Sequence, residues 1–113
     1  IGKLSAYDPR YYAEMGKVLR ECARVLSPGG VLGVYCCDYF EKKKGIACVG
    51  FELFALALRD LRPLDVISVV RHHKTLEMGN YRRAADEGNF FLRGFNYLLL
   101  FRKRSAKEKK DQA

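Results

Sequence analysis

The segment NYLLLF, residues 96–101, decides the fold, because it is the most continuously apolar run in the chain. Two other apolar runs predict strands: VLGVYCC at 31–37, and LDVISVVRHH at 64–73, which is rich in valine and isoleucine. A strand that is apolar along its whole length is typical of a position with neighbours on both sides and both faces covered. We therefore predict that NYLLLF lies between the other two strands and is buried on both faces.

Two helices are predicted. Asp8 and Pro9 indicate a helix start, since aspartate caps a helix and proline fits its first turn. The sequence SPGG at 27–30 ends this helix, and after a turn at KKKG (42–45) a second helix is predicted from about Ile46 to Leu61, stopped by Pro63. The inward positions predicted from helical spacing are Tyr11, Met15, Val18, Leu19, Cys22, Val25 and Leu26, then Val49, Leu53, Phe54, Ala57, Leu58 and Leu61.

The resulting order is helix, strand, helix, strand, long loop, strand, which predicts an α/β fold. The strand–helix–strand portion predicts a right-handed crossover that leaves its two strands parallel. The last strand is predicted to return antiparallel to both. At 113 residues the chain can bury one modest core. We expect a single domain over residues 1–103 and a basic, disordered tail over residues 104–113.

The predicted loop at 74–94 is far longer than the roughly two to five residues that a hairpin needs. Basic and aromatic side chains alternate in it, a mixture that suits phosphates and stacked bases. The alternative is a structural flap whose aromatic residues cover the end of the sheet. The net charge of +8 likewise favours a polyanionic partner such as nucleic acid, although the tail contributes part of it.

The four cysteines predict reduced core thiols. Cys22, Cys36, Cys37 and Cys48 form no CxxC pair and match no histidine spacing, so we predict no metal site and a reducing cytoplasm. No run approaches the roughly twenty apolar residues of a membrane span, and we expect no membrane partner. The chain opens on Ile1 rather than methionine, from which we expect a fragment or a trimmed product.

Three segments resemble a known family. ECARVLSPGGVLGVYCCD (21–38) resembles the part of S-adenosylmethionine-dependent methyltransferases that runs from a late helix through a Pro-Gly-Gly turn into the fifth strand. VVRHHK (69–74) and FLRGFNYLLLFRK (91–103) resemble paired motifs of DNA methylases that modify the exocyclic amino group of adenine or cytosine. His72 stands where that family usually has tryptophan, and Phe95 and Asn96 replace its His-Glu pair, whereas Lys74 and the run 97–101 keep its pattern.

The resemblance implies part of a Rossmann-like methyltransferase sheet, whose seventh strand lies antiparallel between the fifth and the sixth. It also implies S-adenosylmethionine as cofactor and methyl transfer to a DNA base. The family's glycine-rich cofactor loop after the first strand and its Pro-Pro-aromatic loop after the fourth are absent from this chain. We therefore assign no catalytic and no cofactor-binding residue, and expect the chain alone to be inactive.

The resemblance also implies where DNA would bind. Such enzymes turn the target base out of the duplex, and strand ends and the loops after them line the pocket. Capping of the next turn is the alternative for Asp38, and packing is the alternative for Tyr39 and Phe40. The candidate DNA- or base-contacting residues are Asp38, Tyr39, Phe40, Lys74, Asn80, Arg82, Arg83, Asn89, Phe90, Phe91 and Arg93.

An open sheet edge, where the family's fourth strand would pair, predicts self-association or a complementary chain.

Two other functions compete with the methylase fragment. One is a non-enzymatic nucleic-acid-binding module or degenerate methylase remnant. The other is a fragment of a methyltransferase that acts on a small molecule or RNA and shares only the Pro-Gly-Gly segment.

Overall fold

The computed structural model describes residues 2–71, 94–105 and 107. Its elements, in chain order, are α1 Pro9–Val25, β1 Val31–Cys36, β2 Tyr39–Glu41, β3 Gly45–Ala47, α2 Val49–Ala57, β4 Arg62–Val70 and β5 Phe95–Arg102. Strands β1, β5 and β4 form a sheet in that order, in which β5 is antiparallel to both neighbours, and β2 and β3 form a separate hairpin. The predicted α/β class is confirmed, and the strand that contains NYLLLF lies in the middle.

Helix α1 begins as its sequence predicts. The Asp8 carboxylate accepts a hydrogen bond from the Arg10 backbone N–H at 2.9 Å, and Pro9 follows the cap. After the helix, Gly29 takes a left-handed backbone with φ of 82° and the Gly30 N–H donates to the Ser27 carbonyl at 2.8 Å, so the chain turns directly into β1. The inward stripe is only partly right, because Leu19 is buried whereas Val25 is 67% exposed.

The predicted start of the second helix is wrong. Ile46 and Ala47 are paired with Phe40 and Tyr39 in the hairpin, and the helix begins only at Val49. Gly45, with φ of 82°, reverses the chain into a strand that an apolar pattern alone does not separate from a helix.

Pro63 does not stop the second helix as predicted. The helix ends at Ala57 and a turn follows, whereas Pro63 lies inside β4. The pairing of β4 with β5 shifts register between Pro63 and Asp65, which accommodates a residue that lacks an N–H.

The core lies between the two helices and one face of the sheet. Leu99 and Phe101 of β5 are buried there with side chains from both helices, chiefly Leu19, Leu53 and Ala57. Leu98 and Leu100 point to the opposite face and are only half-buried. The prediction that NYLLLF is buried on both faces is therefore wrong for the described residues, where helices cover one face only.

The described helices are also too short or too polar to cross a bilayer, and none of them qualifies as a membrane span.

Candidate nucleic-acid interface

The candidate site lies at the edge of the sheet where β1 and β4 end. These strands are parallel, and Cys36 of β1 and Ser68 of β4 both stand opposite Tyr97, near the start of β5. The Arg71 N–H donates to the Gly94 carbonyl at 2.8 Å, so the chain leaves and re-enters the described part at this same edge. Ligands of open α/β sheets bind beyond the carboxyl ends of the strands, so a ligand of this chain is expected at this edge.

Asp38 follows β1 and points inward. One carboxylate oxygen accepts a hydrogen bond from the Gly50 backbone N–H at 2.9 Å, and the other accepts from the Tyr97 hydroxyl at 3.0 Å. The N-cap residue of α2, Cys48, offers no side-chain cap, so Asp38 supplies the acceptor that this helix start lacks. Asp38 therefore caps α2, twelve residues further along the chain, rather than the next turn that the sequence left open as an alternative.

Tyr97 joins this cap to the central strand. A Cβ placed on Gly50 would lie 2.5 Å from the Tyr97 ring, so glycine is required for the ring to pass so close to α2. Burial raises the pKa of the Tyr97 hydroxyl, and its hydrogen bond to the negative Asp38 raises it further. The hydroxyl therefore keeps its proton and acts as a donor. Sequence reasoning placed Tyr97 in a motif but missed Gly50.

The hairpin β2–β3 covers the end of β1. Tyr39 is 52% exposed, as a nucleic-acid contact requires, and its ring lies edge-on to Tyr7 at 5.8 Å, whereas Phe40 is half-buried. The Tyr7 hydroxyl donates a short hydrogen bond to the Gly45 carbonyl, and the Lys44 ammonium lies 5.2 Å from the centre of the Tyr7 ring. Sequence reasoning missed Tyr7, because it stands far from the hairpin along the chain.

Beside the hairpin runs an open groove of about 590 Å³. The groove is lined by Leu4, Ser5, Ala6, Tyr11, Tyr35, Cys36, Cys37, Tyr39 and Val49. Burial raises the pKa of the Cys36 thiol to about 11, with a further contribution from Asp38, and burial likewise raises the pKa of Tyr11. These two groups are neutral near pH 7, and the groove offers an aromatic, weakly polar wall rather than a charged nucleophile.

The other predicted site residues lie outside the described part of the chain: Lys74, Asn80, Arg82, Arg83, Asn89, Phe90, Phe91 and Arg93. Residues 2–71, 94–105 and 107 contain no group of three or more His, Cys, Asp or Glu side chains that could hold a metal ion. The Asn96 side chain donates from its amide nitrogen to the Tyr35 hydroxyl at 2.6 Å. The DNA methylase family that the sequence resembles has glutamate at this position.

The described residues do not fit S-adenosylmethionine. A phosphate- or nucleoside-binding loop of the Rossmann kind follows a strand and opens a helix, so that backbone amides face the ligand. Here Gly29 and Gly30 lie between α1 and β1, and the carboxyl end of β1 leads into a hairpin. No step of a reaction can be derived through this cofactor from these residues.

The fold of the described residues is similar to part of a larger protein of known structure. The chain is similar to a candidate DNA modification methylase of Thermus thermophilus in two crystal structures, each with a TM-score of 0.67, at 18% and 17% sequence identity. The first is a selenomethionine derivative and the second is a complex with S-adenosyl-L-methionine. The likeness covers 86% of this chain but only 38% of the neighbour's length. No family model and no curated protein matches the sequence.

Proposed function

We propose that this chain is the carboxyl-side part of a DNA methylase that transfers a methyl group from S-adenosylmethionine to an exocyclic amino group of adenine or cytosine. The observation that carries the proposal is β5. It stands between two parallel strands in a fold that a candidate DNA methylase shares, and its sequence FNYLLLF keeps most of the amino-methylase pattern.

The chain's own role in this proposal is to hold DNA rather than to perform the transfer. Its part of the interface is the carboxyl edge of the sheet, where Tyr39 is exposed, together with the segment 74–94. We propose that this chain alone is inactive, since the described residues do not fit the cofactor and the Pro-Pro-aromatic loop, with which the methylase family holds the amine, has no counterpart in the sequence. The proposal includes a cytoplasmic location, with the four cysteines reduced.

The open side of the sheet supports a role as one part of a larger domain. Within the described residues β1 pairs with β5 alone, so its outer edge offers unpaired backbone groups. Val31 and Ile67 on the uncovered face are 47% and 39% exposed, and Leu98 lies between β1 and β4 on that same face. We propose that the remainder of a methylase domain covers this edge and face, because the shared fold accounts for only 38% of the neighbour's length.

Activity and binding assays test the function. We expect no radiolabelled methyl transfer from S-adenosylmethionine to unmethylated duplex DNA by this chain, no micromolar binding of the cofactor in calorimetry, and salt-dependent binding of duplex DNA in fluorescence anisotropy. Methyl transfer or cofactor binding by the chain alone would overturn the assignment of these roles to other residues. Absence of DNA binding at low salt would overturn the DNA-binding role.

A second function is a non-enzymatic nucleic-acid-binding module. It is favoured by the net charge of +8, which suits a polyanion. It is also favoured by Asp38, because this acidic group after β1 caps α2 and is not free for catalysis. The two functions differ in the open face. A module that acts alone should be monomeric and stable by itself, whereas a methylase part should expose an association surface.

Light scattering after gel filtration distinguishes them. We expect concentration-dependent self-association of the isolated chain, reduced in the variant Val31→Lys/Ile67→Lys, because two charges on the uncovered face oppose burial. The control is Val25→Lys, which places a charge at an exposed position of α1 rather than of the sheet. A chain that stays monomeric at millimolar concentration would favour the module instead.

A further inference from the structure

The tip of the β2–β3 hairpin carries three consecutive lysines whose position the backbone fixes. Glu41 and Gly45 are paired, Lys42, Lys43 and Lys44 form the loop, and the Lys44 N–H donates to the Glu41 carbonyl at 3.0 Å. A three-residue hairpin loop needs a left-handed residue at its end, and Gly45 provides it. Lysine is not among the residues that such turns select, so the turn geometry does not account for this sequence.

The hairpin is anchored to the core at its base. Ala47 at the end of β3 and Val49 at the start of α2 are both buried. At the other end, the Tyr7 hydroxyl binds the Gly45 carbonyl, and the Tyr7 ring contacts Tyr39. The lysines therefore project from a supported turn rather than from a free loop.

Acidic side chains near the hairpin are already engaged. Asp8 binds Arg10 at 2.7 Å, and the Asp38 carboxylate is turned inward to Gly50 and Tyr97. Glu41 lies 3.8 Å from Lys44, an exposed pair of small strength. Among the described residues no carboxylate lies within ion-pair distance of Lys42 or Lys43, so their positive charges are available to a ligand.

The lysine loop lies beside the candidate interface. The hairpin follows the carboxyl end of β1, at the edge where ligands of open α/β sheets bind. Exposed rings of Tyr35 and Tyr39 line the groove beside the hairpin. The Lys44 ammonium lies 5.2 Å from the centre of the Tyr7 ring, so an aromatic face lies next to the lysine loop. Lysines that contact phosphates beside aromatic rings are a recurrent arrangement in nucleic-acid-binding surfaces.

We propose that the loop Lys42–Lys44 binds the sugar-phosphate backbone of DNA. The contact positions the duplex at the carboxyl edge of the sheet and carries no base specificity, since an ammonium reads phosphate charge alone. The choice of DNA over another polyanion rests on the proposed function, whereas the lysine site itself rests on the geometry of the hairpin.

Anisotropy with a fluorescent duplex of arbitrary sequence tests the site at several salt concentrations. The test variant is Lys42→Gln/Lys43→Gln/Lys44→Gln. The control is Lys17→Gln/Arg20→Gln/Arg24→Gln on the exposed face of α1, which lowers the net charge by the same three units, from +8 to +5. Both sets of side chains are exposed, so both variants should keep the wild-type melting temperature.

We expect the hairpin variant to lose about tenfold or more in DNA affinity, with a salt slope reduced by about two to three, one unit for each lost phosphate contact. The helix variant should bind within about threefold of wild type with an unchanged slope, because screening limits distant charges. Equal losses in both variants, or no loss in either, would overturn the hairpin site while leaving DNA binding intact. A wild-type chain that does not bind the duplex would overturn the proposed function as well, and stronger binding of single-stranded RNA would replace DNA as the ligand.

Discussion

The central strand β5 carries leucines on both faces of the sheet, but in the described part of the chain the helices cover only one of these faces. Leu99 and Phe101 are 2% and 0% exposed beneath the helices, whereas their neighbours Leu98 and Leu100 in the same strand remain half-buried on the other face. Alternate apolar side chains of the same strand therefore have different roles, because they point to opposite faces of the sheet. On one face they stabilise this chain by burial, and on the other they leave part of their hydrophobic surface exposed.

The largest expected difference between the faces concerns the core of β5. Phe101→Ala should lower the free energy of unfolding by about 3 to 5 kcal/mol, because it removes a fully buried ring and leaves a cavity next to Phe54. Ile67→Ala on the uncovered face should cost less than about 1 kcal/mol, since the side chain is 39% exposed.

Urea unfolding followed by circular dichroism measures both values. Equal losses for Phe101→Ala and Ile67→Ala would contradict the comparison, and would mean that the isolated chain covers its second face in solution. If the Phe101→Ala variant unfolds without a cooperative transition, the two variants are compared by the urea concentration at which each is half unfolded.

The next effect uses one glycine on each face. Gly50→Ala places a methyl group 2.5 Å from the Tyr97 ring on the covered face, and should destabilise the protein by about 1 to 3 kcal/mol through overpacking. Gly33→Ala on the uncovered face meets Leu98 and Leu100 at an ordinary 3.5 Å, and should be neutral or slightly stabilising.

Thermal melts of the two glycine variants give the comparison directly. Alanine ordinarily favours a helix over glycine by about 1 kcal/mol, so a stabilised Gly50→Ala variant would mean that the Tyr97 ring moves aside without loss. Removing the ring by Gly50→Ala/Tyr97→Leu should restore part of the stability if the clash is the cause.

A smaller effect separates two aspartates. Asp38→Ala removes the cap of α2 and the acceptor of the Tyr97 hydroxyl, and should cost about 1 to 2 kcal/mol. Asp65→Ala on the uncovered side should change stability by less than about 0.5 kcal/mol, because within the described residues its carboxylate accepts only from the exposed N–H of Val66.

The same pair of variants separates structure from DNA contact. In the anisotropy assay Asp38→Ala should leave the salt slope unchanged if the residue acts through α2. An affinity gain without loss of stability would instead place the Asp38 carboxylate at the phosphates.

The sequence predicted the strands and helices better than their surroundings. The apolar run of β5 and the Asp8–Pro9 start of α1 are local signals, and both are present as predicted. The hairpin was missed because Ile46 and Ala47 fit a helical pattern, and only the left-handed Gly45 decides between the two. The open face was missed because an apolar strand is equally consistent with cover from its own chain or from another.

The candidate site was predicted less completely, for a related reason. Tyr39, which follows β1 and begins β2, could be proposed from strand order alone, because strand ends and the segments after them line such sites. Tyr7 and the Asp38 cap of Gly50 depend on contacts between distant parts of the chain, at separations of 38 and 12 residues. Three lysines in a turn carry no signal until the fold places the turn at the carboxyl edge.

The smallest expected effect is on the pH dependence of stability, and it distinguishes two adjacent thiols that point in opposite directions from the strand. Cys36 faces the core side with a pKa raised from 9.0 to about 11 by burial, whereas Cys37 is exposed. Between about pH 9 and 11 the folded protein therefore keeps a proton that the unfolded chain has lost. The stabilisation from Cys36 is fully present below about pH 9 and is lost as the pH rises toward 11.

The free energy of unfolding should accordingly fall more steeply from pH 8.5 to 10.5 in wild type than in Cys36→Ala, while Cys37→Ala should follow wild type. Tyr97 and Tyr11, whose pKa values are also raised, add a decline of the same sign to all three proteins, so the difference between the curves isolates the thiol. Identical slopes for wild type and Cys36→Ala would mean that water reaches the covered face at β1. Water would then enter the core past the outer edge of β1, and the covered face would need a partner at that edge to stay dry.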